Sequence, residues 1–388
     1  MKIANIEAIP LRIPTIDSQA NDGSQETVIV KVHTDAGVTG IGEVDATPFV
    51  IKAVIESPSS HNWGLSFHDL LVGENPLDIE RLWDKMYQGT IYPGRRGMGI
   101  HAIGAVDLAL WDVAGKALGR PVYELLGGPR RDKVLPYASV QPRVSTSAEA
   151  PRRVQELAEK VVERGYLAVK FQLVYPEVYT DQDIVRLMRL ARRIVGDQTI
   201  LALDVGYRWT DSKSAIWALR QLEDCNLYFV ETPIRVDDLH GYAVLAEAVS
   251  TRIAMGEFLA TRWEFLNLVD HGKADVVQPD IARAGGLTES LRIAKLAEDR
   301  GLLCIPHGWK SGITIAAQIH LSAASNNVPL IEYMEPNLWP SVIRSELAVP
   351  EFLPERGTIA LPRTPGLGVA LNPEVIERLS VAAVPGHA

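Results

Sequence analysis

The sequence predicts an α/β protein that combines a closed barrel of parallel strands with a separate α+β domain. Two observations carry this prediction. From about residue 134 onward, eight short apolar runs alternate with segments of helical length. Repeated βα units place their strands in one parallel sheet, and eight such strands close a barrel. Before residue 127 the order differs, because strand-like runs come first and helices follow.

The N-terminal part is predicted to be a small sheet followed by helices. The runs MKIANIEAIPLRIP and ETVIVKVHTD alternate like strands, and GVTGIGEVDA continues the second run through a glycine turn. Residues 15–26 are polar and turn-forming, so we expect a mobile loop there. Helical patterns follow near residues 78–88 and across residues 97–118.

The barrel strands are predicted from β-branched runs that are separated by amphipathic stretches such as RRVQELAEKVVERG. In chain order the eight runs are VLPYASV, YLAVKFQ, TILALD, LYFVE, RIAMGE, ADVVQPD, LLCIPH and VPLIE. The stretch LLGGPRRDKV marks the predicted boundary before them. We therefore expect a capping domain at residues 1–126 and a barrel at residues 127–354, with residues 355–388 leaving the barrel to join the cap.

Composition excludes several classes of function. The net charge is −9 and Lys and Arg form no cluster, which argues against nucleic acid or an anionic membrane as a partner. Two cysteines are too few for a disulfide framework and fit a reducing cytoplasm. The N-terminus lacks the apolar core of a signal peptide, and we expect no membrane-spanning segment.

Six consecutive predicted strands end on an acid or a histidine. Their spacings of 27, 26, 23, 27 and 25 residues are each the length of one βα unit. In a barrel, side chains at the carboxyl ends of the strands converge on one mouth, where active sites lie. The six residues are Asp204, Glu231, Glu257, Asp280, His307 and Glu332.

The residue types at these ends predict a metal-assisted proton transfer. Asp204, Glu231 and Glu257 would repel one another without a cation, and oxygen ligands favour Mg²⁺, with Mn²⁺ also possible. The neighbouring pair Asp280 and His307 is typical of a general base, since a carboxylate fixes the histidine tautomer and raises its pKa.

The second predicted barrel strand raises a separate question. Lys170 and Gln172 in AVKFQLV point to the same face of that strand, although both residue types are rarely buried without a partner. A lysine beside a metal can hold a carboxylate substrate and its enediolate. Gln172 can only donate and accept hydrogen bonds, because an amide does not titrate near neutral pH.

Together these motifs resemble the mandelate racemase subgroup of the enolase superfamily. The resemblance spans nearly the whole chain, including GAVDLALWDVAGKALGRPVYELLGG in the cap and TPGLGV in the tail. It implies a (β/α)7β-type TIM barrel with an α+β capping domain, in which a His or Lys base works with Mg²⁺. The resemblance carries over metal ligation to Asp204, Glu231 and Glu257, and catalysis to Lys170, Asp280, His307 and Glu332.

Two positions depart from that subgroup. Its second barrel strand usually reads Lys-x-Lys, whereas this chain has Lys170-Phe171-Gln172. Its third usually reads Asp-x-Asn, whereas this chain has Asp204-Val205-Gly206. The missing second lysine is the other base of the subgroup, so the resemblance does not extend to racemisation by two bases.

The resemblance implies a dehydratase of an aldonic or aldaric acid sugar. His307 would remove the proton α to the carboxylate, and loss of the 3-hydroxyl would give a 2-keto-3-deoxy acid. The alternatives within the superfamily are an epimerase or racemase and a lactone cycloisomerase. Outside it stand a Schiff-base aldolase that uses Lys170, and a barrel without catalytic activity.

Further expectations concern substrate contacts and assembly. Gln172, Tyr137, Arg283 and Trp309 stand near the predicted mouth and are candidates for binding the substrate. Specificity is expected from residues 15–26 and the neighbours of the strand ends. The resemblance also implies a cytoplasmic homo-oligomer, between a dimer and an octamer, that binds a small carboxylic acid sugar.

Overall fold

The computed structural model describes residues 1–17, 24–45 and 47–382, apart from the side chain of Pro93. Part of the predicted loop at residues 15–26 therefore lies outside the described residues, as do the last six residues of the tail.

The cap begins with an antiparallel three-stranded sheet whose order is the order along the chain. Glycines allow its third strand to lie directly on a long helix, since a Cβ at Gly40 or Gly42 would stand 2.0 Å from a carbonyl oxygen of that helix. The strands are β1 Ile3–Arg12, β2 Glu26–Thr34 and β3 Thr39–Val44, and the helices are α1 Pro48–Glu56, α2 Phe67–Leu71, α3 Ile79–Gly89, α4 Ile91–Gly94, α5 Met98–Leu118 and α6 Val122–Leu125.

The long helix α5 agrees with the predicted span and ends at Gly119, whose left-handed φ of 66° suits a helix end. By length and composition α5 could cross a membrane, but 83% of its most apolar window is buried inside the protein. Such burial is typical of a core helix.

Each of the eight predicted runs overlaps a barrel strand. The first seven strands pair in parallel in chain order, and the eighth pairs with the first. Side chains from seven of the strands, together with Ile305, form a single buried cluster, which is the interior of the barrel. The strands are β4 Lys133–Val140, β5 Ala168–Gln172, β6 Ile200–Asp204, β7 Phe229–Glu231, β8 Arg252–Met255, β9 Val276–Val277, β10 Leu303–Cys304 and β11 Leu330–Tyr333.

Helices surround this barrel and present their apolar faces to it. In the second of them, Thr180 and Asp183 form a reciprocal capping box that begins the helix. The helices are α7 Ala150–Glu163, α8 Asp181–Val195, α9 Ser212–Arg220, α10 Leu239–Ala248, α11 Thr261–Asn267, α12 Ile281–Ala284, α13 Gly286–Glu298 and α14 Gly312–Ala324, with a 3-10 turn at Glu223–Cys225 and a π-helical turn at Leu268–Gly272.

The C-terminal segment contacts both parts of the protein. Its strand β13, Ile359–Ala360, pairs with β4 of the barrel. Farther along, Leu367 N donates to Asp112 Oδ1 of the cap at 2.9 Å, and Val381 N donates to the Pro10 carbonyl. After β11 the chain forms α15 Val342–Glu346 and β12 Ala348–Val349, and the C-terminal segment then forms β13, β14 Ala370–Leu371 and α16 Pro373–Leu379. The division at residues 126 and 127 stays a proposal.

Candidate active site

Strand register brings the predicted carboxylates to one mouth of the barrel. Asp204 at the end of β6 is paired with Glu231 at the end of β7, and Gln172 is paired with Asp204 on the other side. Paired residues on adjacent strands share a face of the sheet. Glu257 follows β8, and Asp280 forms a parallel bridge with His307. The six strand-end residues therefore line up around the carboxyl ends of the strands.

Lys170 lies fully buried at the bottom of this mouth, between two carboxylates. Its Nζ is 2.7 Å from Glu231 Oε2 and 2.8 Å from Glu332 Oε1. Burial opposes the charge of this lysine, but the two carboxylates hold its pKa well above the usual range. Lys170 is therefore a protonated hydrogen-bond donor, and it lacks the free amine that a Schiff-base nucleophile needs.

His307 and Asp280 form the predicted pair on the opposite side. His307 Nδ1 is 2.9 Å from Asp280 Oδ2, so that this nitrogen carries the donated proton when the ring is neutral. The other nitrogen, Nε2, is then left as the proton acceptor. It lies 3.1 Å from Glu257 Oε2 and 3.7 Å from Glu332 Oε2. This pair has the arrangement of a general base.

The Asp280 carboxylate is held by more than the histidine. Lys310 Nζ forms an ion pair with the same Oδ2 atom, and Arg283 N donates to Oδ1 at 3.0 Å. Burial would raise the pKa of Asp280, but Lys310 and Arg283 hold it well below the usual range. Asp280 is thus a permanent anion behind His307.

The three predicted metal ligands fit a hard cation by their chemistry. Burial raises the pKa of Asp204 well above its usual range, and the neighbouring carboxylate of Glu231 adds to this. Glu231 Oε1 is buried without a hydrogen-bond partner in the described part of the chain. Both features indicate negative charge and an oxygen lone pair that a cation would stabilise.

These ligands do not form a ready-made cluster. Among residues 1–17, 24–45 and 47–382, no group of three or more His, Cys, Asp or Glu side chains is arranged to hold a metal. Glu231 Oε2 instead accepts hydrogen bonds from Lys170 and from Gln278, and Glu257 contacts His307. A cation shared by the carboxylates would compete with His307 for Glu257.

The electrostatics of His307 depend on the same carboxylates. Burial disfavours its charged form, but Glu332 and Glu257 raise its pKa to about 9. A histidine with that pKa is protonated at neutral pH and cannot accept a proton. Neutralising Glu257 with a cation would remove part of this effect.

A cavity of about 420 Å³ opens above these groups. Gln172 lines it, is 8% exposed, and donates from Nε2 to Ser139 Oγ at 3.0 Å. Trp309 also lines it and donates from Nε1 to Glu332 Oε1 at 2.9 Å. The lining comprises Gln141, Gln172, Val174, Asp204, Gly206, Tyr207, Glu257, Phe258, Arg283, His307 and Trp309.

The structure brings three of the four predicted substrate contacts to this cavity, namely Gln172, Arg283 and Trp309. Tyr137 is the exception and needs correction. It belongs to the buried barrel interior, 1% exposed, with its ring 5.3 Å below Lys170 Nζ. Its position on β4 is deeper than the strand end, so its side chain supports Lys170 and does not face the cavity.

Sequence reasoning missed several residues that shape the site. Gln278 donates to Glu231 at 2.7 Å, and Ser139 accepts from both Gln172 and Trp309. Asp45 reaches the site from the cap through Arg283. Strand alternation could have found Gln278, because it stands two residues before Asp280 in the predicted run ADVVQPD. No local pattern indicates Asp45.

Comparison with protein families gives two matches that span most of the chain. Residues 3–127 match the N-terminal domain of mandelate racemase / muconate lactonizing enzyme. Residues 153–375 match the family described as enolase C-terminal domain-like. The chain belongs to the mandelate racemase subgroup of the enolase superfamily. The (β/α)7β-type barrel with its α+β capping domain, predicted from the resemblance, is confirmed for this enolase superfamily member.

Relatives within the superfamily include named dehydratases. Arabinonate dehydratase of Saccharolobus solfataricus is 31% identical over 358 residues, which cover 91% of this chain and 90% of the relative. L-Rhamnonate dehydratase of Saccharopolyspora erythraea is 31% identical over 357 residues, which cover 90% of this chain and 84% of the relative.

Similar solved structures belong to proteins that are named for other activities. The 3,6-anhydro-D-galactonate cycloisomerase of Zobellia galactanivorans superimposes with a TM-score of 0.87 at 29% identity, covering 98% of this chain and 100% of that one. A racemase from Streptomyces coelicolor A3(2) with bound magnesium gives 0.84 at 26% identity, with coverage of 98% and 100%.

Proposed function

We propose that the protein is a magnesium-dependent dehydratase of an aldonic or aldaric acid sugar. One observation carries the proposal, namely that proton-transfer groups occupy only one side of the cavity. His307 lies there beside Asp280. The opposite side has Gln172, which lines the cavity, and Lys170, which is buried and held between two carboxylates. The names of the dehydratase relatives support the same reaction class.

The proposed metal ligands are Asp204, Glu231 and Glu257. A divalent cation held by them, Mg²⁺ or Mn²⁺, would supply positive charge where the substrate carboxylate gains electron density. Oxygen-only ligands select such hard cations over softer metals. The orphaned Glu231 Oε1 supports this assignment.

Different residues then remove the proton and stabilise the charge that develops on the substrate. His307 Nε2 takes the proton α to the carboxylate, and Asp280 holds the ring and its charge. Lys170 donates hydrogen bonds to the substrate carboxylate as negative charge develops there. Glu332 lies between Lys170 and His307 and orients both.

Loss of the 3-hydroxyl completes the proposed reaction. The proton that His307 received is the one available to this leaving group, so that both steps use one face of the substrate and the elimination is syn. Gln172 accepts and donates hydrogen bonds but takes no proton. Arg283 and Trp309 line the cavity and are the remaining proposed contacts to the sugar.

A lactone cycloisomerase is the second candidate, because the Zobellia cycloisomerase has a TM-score of 0.87 with this chain. Removal of an α-proton by one base also suits that reaction. The two reactions differ in mass balance, since a dehydratase loses one water molecule and a cycloisomerase keeps the substrate formula.

Incubating the protein and Mg²⁺ with a library of acid sugars tests these candidates. We expect a 2-keto-3-deoxy acid, lighter than its substrate by one water, by mass spectrometry. An isomer of unchanged mass would support the cycloisomerase, and inversion at C2 an epimerase. Covalent labelling of Lys170 by borohydride with substrate would contradict all three and indicate an aldolase.

Assembly and location belong to the same proposal. We propose a cytoplasmic homo-oligomer, between a dimer and an octamer, on the strength of the family. Both cysteines are free and buried, which fits a reducing compartment. A monomer mass by light scattering would contradict the oligomer.

A further inference from the structure

Asp45 is a buried carboxylate that the cap places beside the barrel mouth. It directly follows β3 of the cap, and its side chain is 1% exposed. Arg283 donates to it from both Nε, at 3.1 Å to Oδ1, and Nη2, at 2.5 Å to Oδ2. Lys310 Nζ is 3.5 Å from Oδ1. Asp45 thus joins two cations that belong to different barrel loops.

The same two cations also hold Asp280. Lys310 Nζ pairs with Asp280 Oδ2, and Arg283 Nε is 3.9 Å from that atom. His307 Nδ1 uses Oδ2 as well, at 2.9 Å. One carboxylate oxygen therefore accepts from the histidine and from a lysine together, and the two donors share its lone pairs.

Charge balance explains why Asp45 affects how Lys310 and His307 share Asp280 Oδ2. Arg283 and Lys310 bring two positive charges, and Asp280 and Asp45 bring two negative charges. His101 lies nearby, but burial and the charge of Arg283 lower its pKa to about 4, so it adds no charge at neutral pH. Without Asp45, Asp280 would face both cations alone.

We propose that Asp45 is a positioning residue for the His307–Asp280 pair, supplied by the cap. It draws Lys310 and Arg283 partly away from Asp280 Oδ2, so that this oxygen stays available to His307 Nδ1 and the ring keeps Nε2 toward the cavity. The catalytic consequence rests on the proposed function, whereas the positioning itself does not. The barrel alone therefore does not position the base, because the cap supplies Asp45, the second of the two carboxylates that balance Arg283 and Lys310.

The test compares Asp45→Asn with Asp107→Asn in the full-length protein with Mg²⁺. Asp107 is a matched control, because it is also a fully buried carboxylate of the cap that contacts the barrel. Its Oδ2 accepts from Thr288 N at 2.9 Å, and no contact joins it to His307 or Asp280 in the described residues. Both substitutions replace one buried cap carboxyl group by an amide.

The first readout needs no substrate. The His307 Nδ1 proton hydrogen-bonded to Asp280 should give a downfield resonance in ¹⁵N-histidine-labelled protein, assigned by its loss in His307→Asn. We expect this resonance in the wild type and in Asp107→Asn, and its shift or exchange broadening in Asp45→Asn. An unchanged resonance in Asp45→Asn would overturn the proposal.

The second readout uses the acid sugar found in the library screen. We expect kcat of Asp45→Asn to fall about 10- to 100-fold, as a misplaced base would cause, with a larger primary isotope effect on C2-deuterated substrate. Adding Lys310→Met removes the competing cation and should recover part of kcat, so the two changes are not additive. Loss of activity with an unchanged isotope effect and no recovery would indicate a purely structural role.

The two proposals fail in different ways. If the wild type turns over no acid sugar, the proposed function is wrong, and the resonance of His307 still decides whether Asp45 positions the pair. If the wild type is active and Asp45→Asn behaves like Asp107→Asn in both readouts, the proposed function stands and the role of Asp45 is wrong.

Discussion

The two sides of the barrel mouth contain similar residue types but differ in what they leave free. On the β5 side, the ammonium group of Lys170 is paired with Glu231 and Glu332, and Gln172 donates to Ser139. On the β10 side, His307 is bound to Asp280 through Nδ1, and its Nε2 lies at the cavity 3.1 Å from Glu257 Oε2. Both sides are buried, yet only the histidine side has an atom that could accept a proton once a cation neutralises Glu257.

The difference shows that burial and charge are not sufficient for a side chain to act as a base. A lysine between two carboxylates is stabilised as a cation, which suits it to hold negative charge on a substrate. His307, which is hydrogen-bonded to Asp280 through Nδ1, would have a lone pair available on Nε2 once a cation neutralises Glu257. We therefore expect removal of the metal to affect both sides, and substitutions at His307, Lys170 and Gln172 to affect one side each.

Removal of divalent metal should have the largest effect, because the three carboxylates lie between the two sides. We expect EDTA to abolish turnover and Mg²⁺ to restore it, measured as keto-acid formation. Glu231→Gln should also be inactive while its circular dichroism spectrum stays that of the wild type. Full activity in metal-free buffer would remove the carboxylates from a metal role.

Loss of the proposed base should have the next largest effect on the rate. His307→Asn removes the proposed base while keeping a hydrogen-bond donor, and we expect the rate to fall about 10²- to 10⁴-fold. Exchange of the C2 proton in D₂O, followed by NMR, should fall in parallel. Undiminished exchange in this variant would mean that another residue is the base.

Breaking the lysine side should cost stability as well as rate. Lys170→Met leaves Glu231 and Glu332 buried without their cation, and loss of one partner from a buried ion pair typically costs about 3–5 kcal/mol. We expect a lower free energy of unfolding in urea than for His307→Asn. Equal stability of the two variants would contradict the view that Lys170 balances buried charge.

The smallest effect is expected at Gln172. Ser139 keeps its hydrogen bond from Trp309 in Gln172→Ala, so the loss should lie near the lower end of about 1–3 kcal/mol in transition-state stabilisation. Wild type and variant should both exchange the C2 proton of one epimer only. Deuterium at C2 of both epimers in the wild type would reveal a second base.

Much of the fold was predictable because the barrel repeats. All eight predicted runs overlap a barrel strand, since a parallel sheet with helical crossovers imposes one chain period throughout. The same period located the six strand-end residues, and the register of β6 with β7 places Asp204 beside Glu231. Their roles as ligands and catalytic groups stay proposals.

Predictions failed where position along a strand, and not its face, decides the environment. Tyr137 was expected to contact substrate, but it is deeper in the barrel than a strand end, where its ring supports Lys170. Depth depends on how each strand is staggered against its neighbours, and single-strand alternation carries no such information.

By itself, the sequence determined which chemical groups are available and in what order they meet the mouth. It placed one histidine and five carboxylates at the strand ends, and a glutamine where the family usually has a lysine, because those are properties of residue type and period. Only the tertiary structure decided which of these groups bind one another. Lys170 lies between Glu231 and Glu332, and Asp45 reaches Arg283 across 238 residues, because side-chain packing and docking of the cap set those contacts.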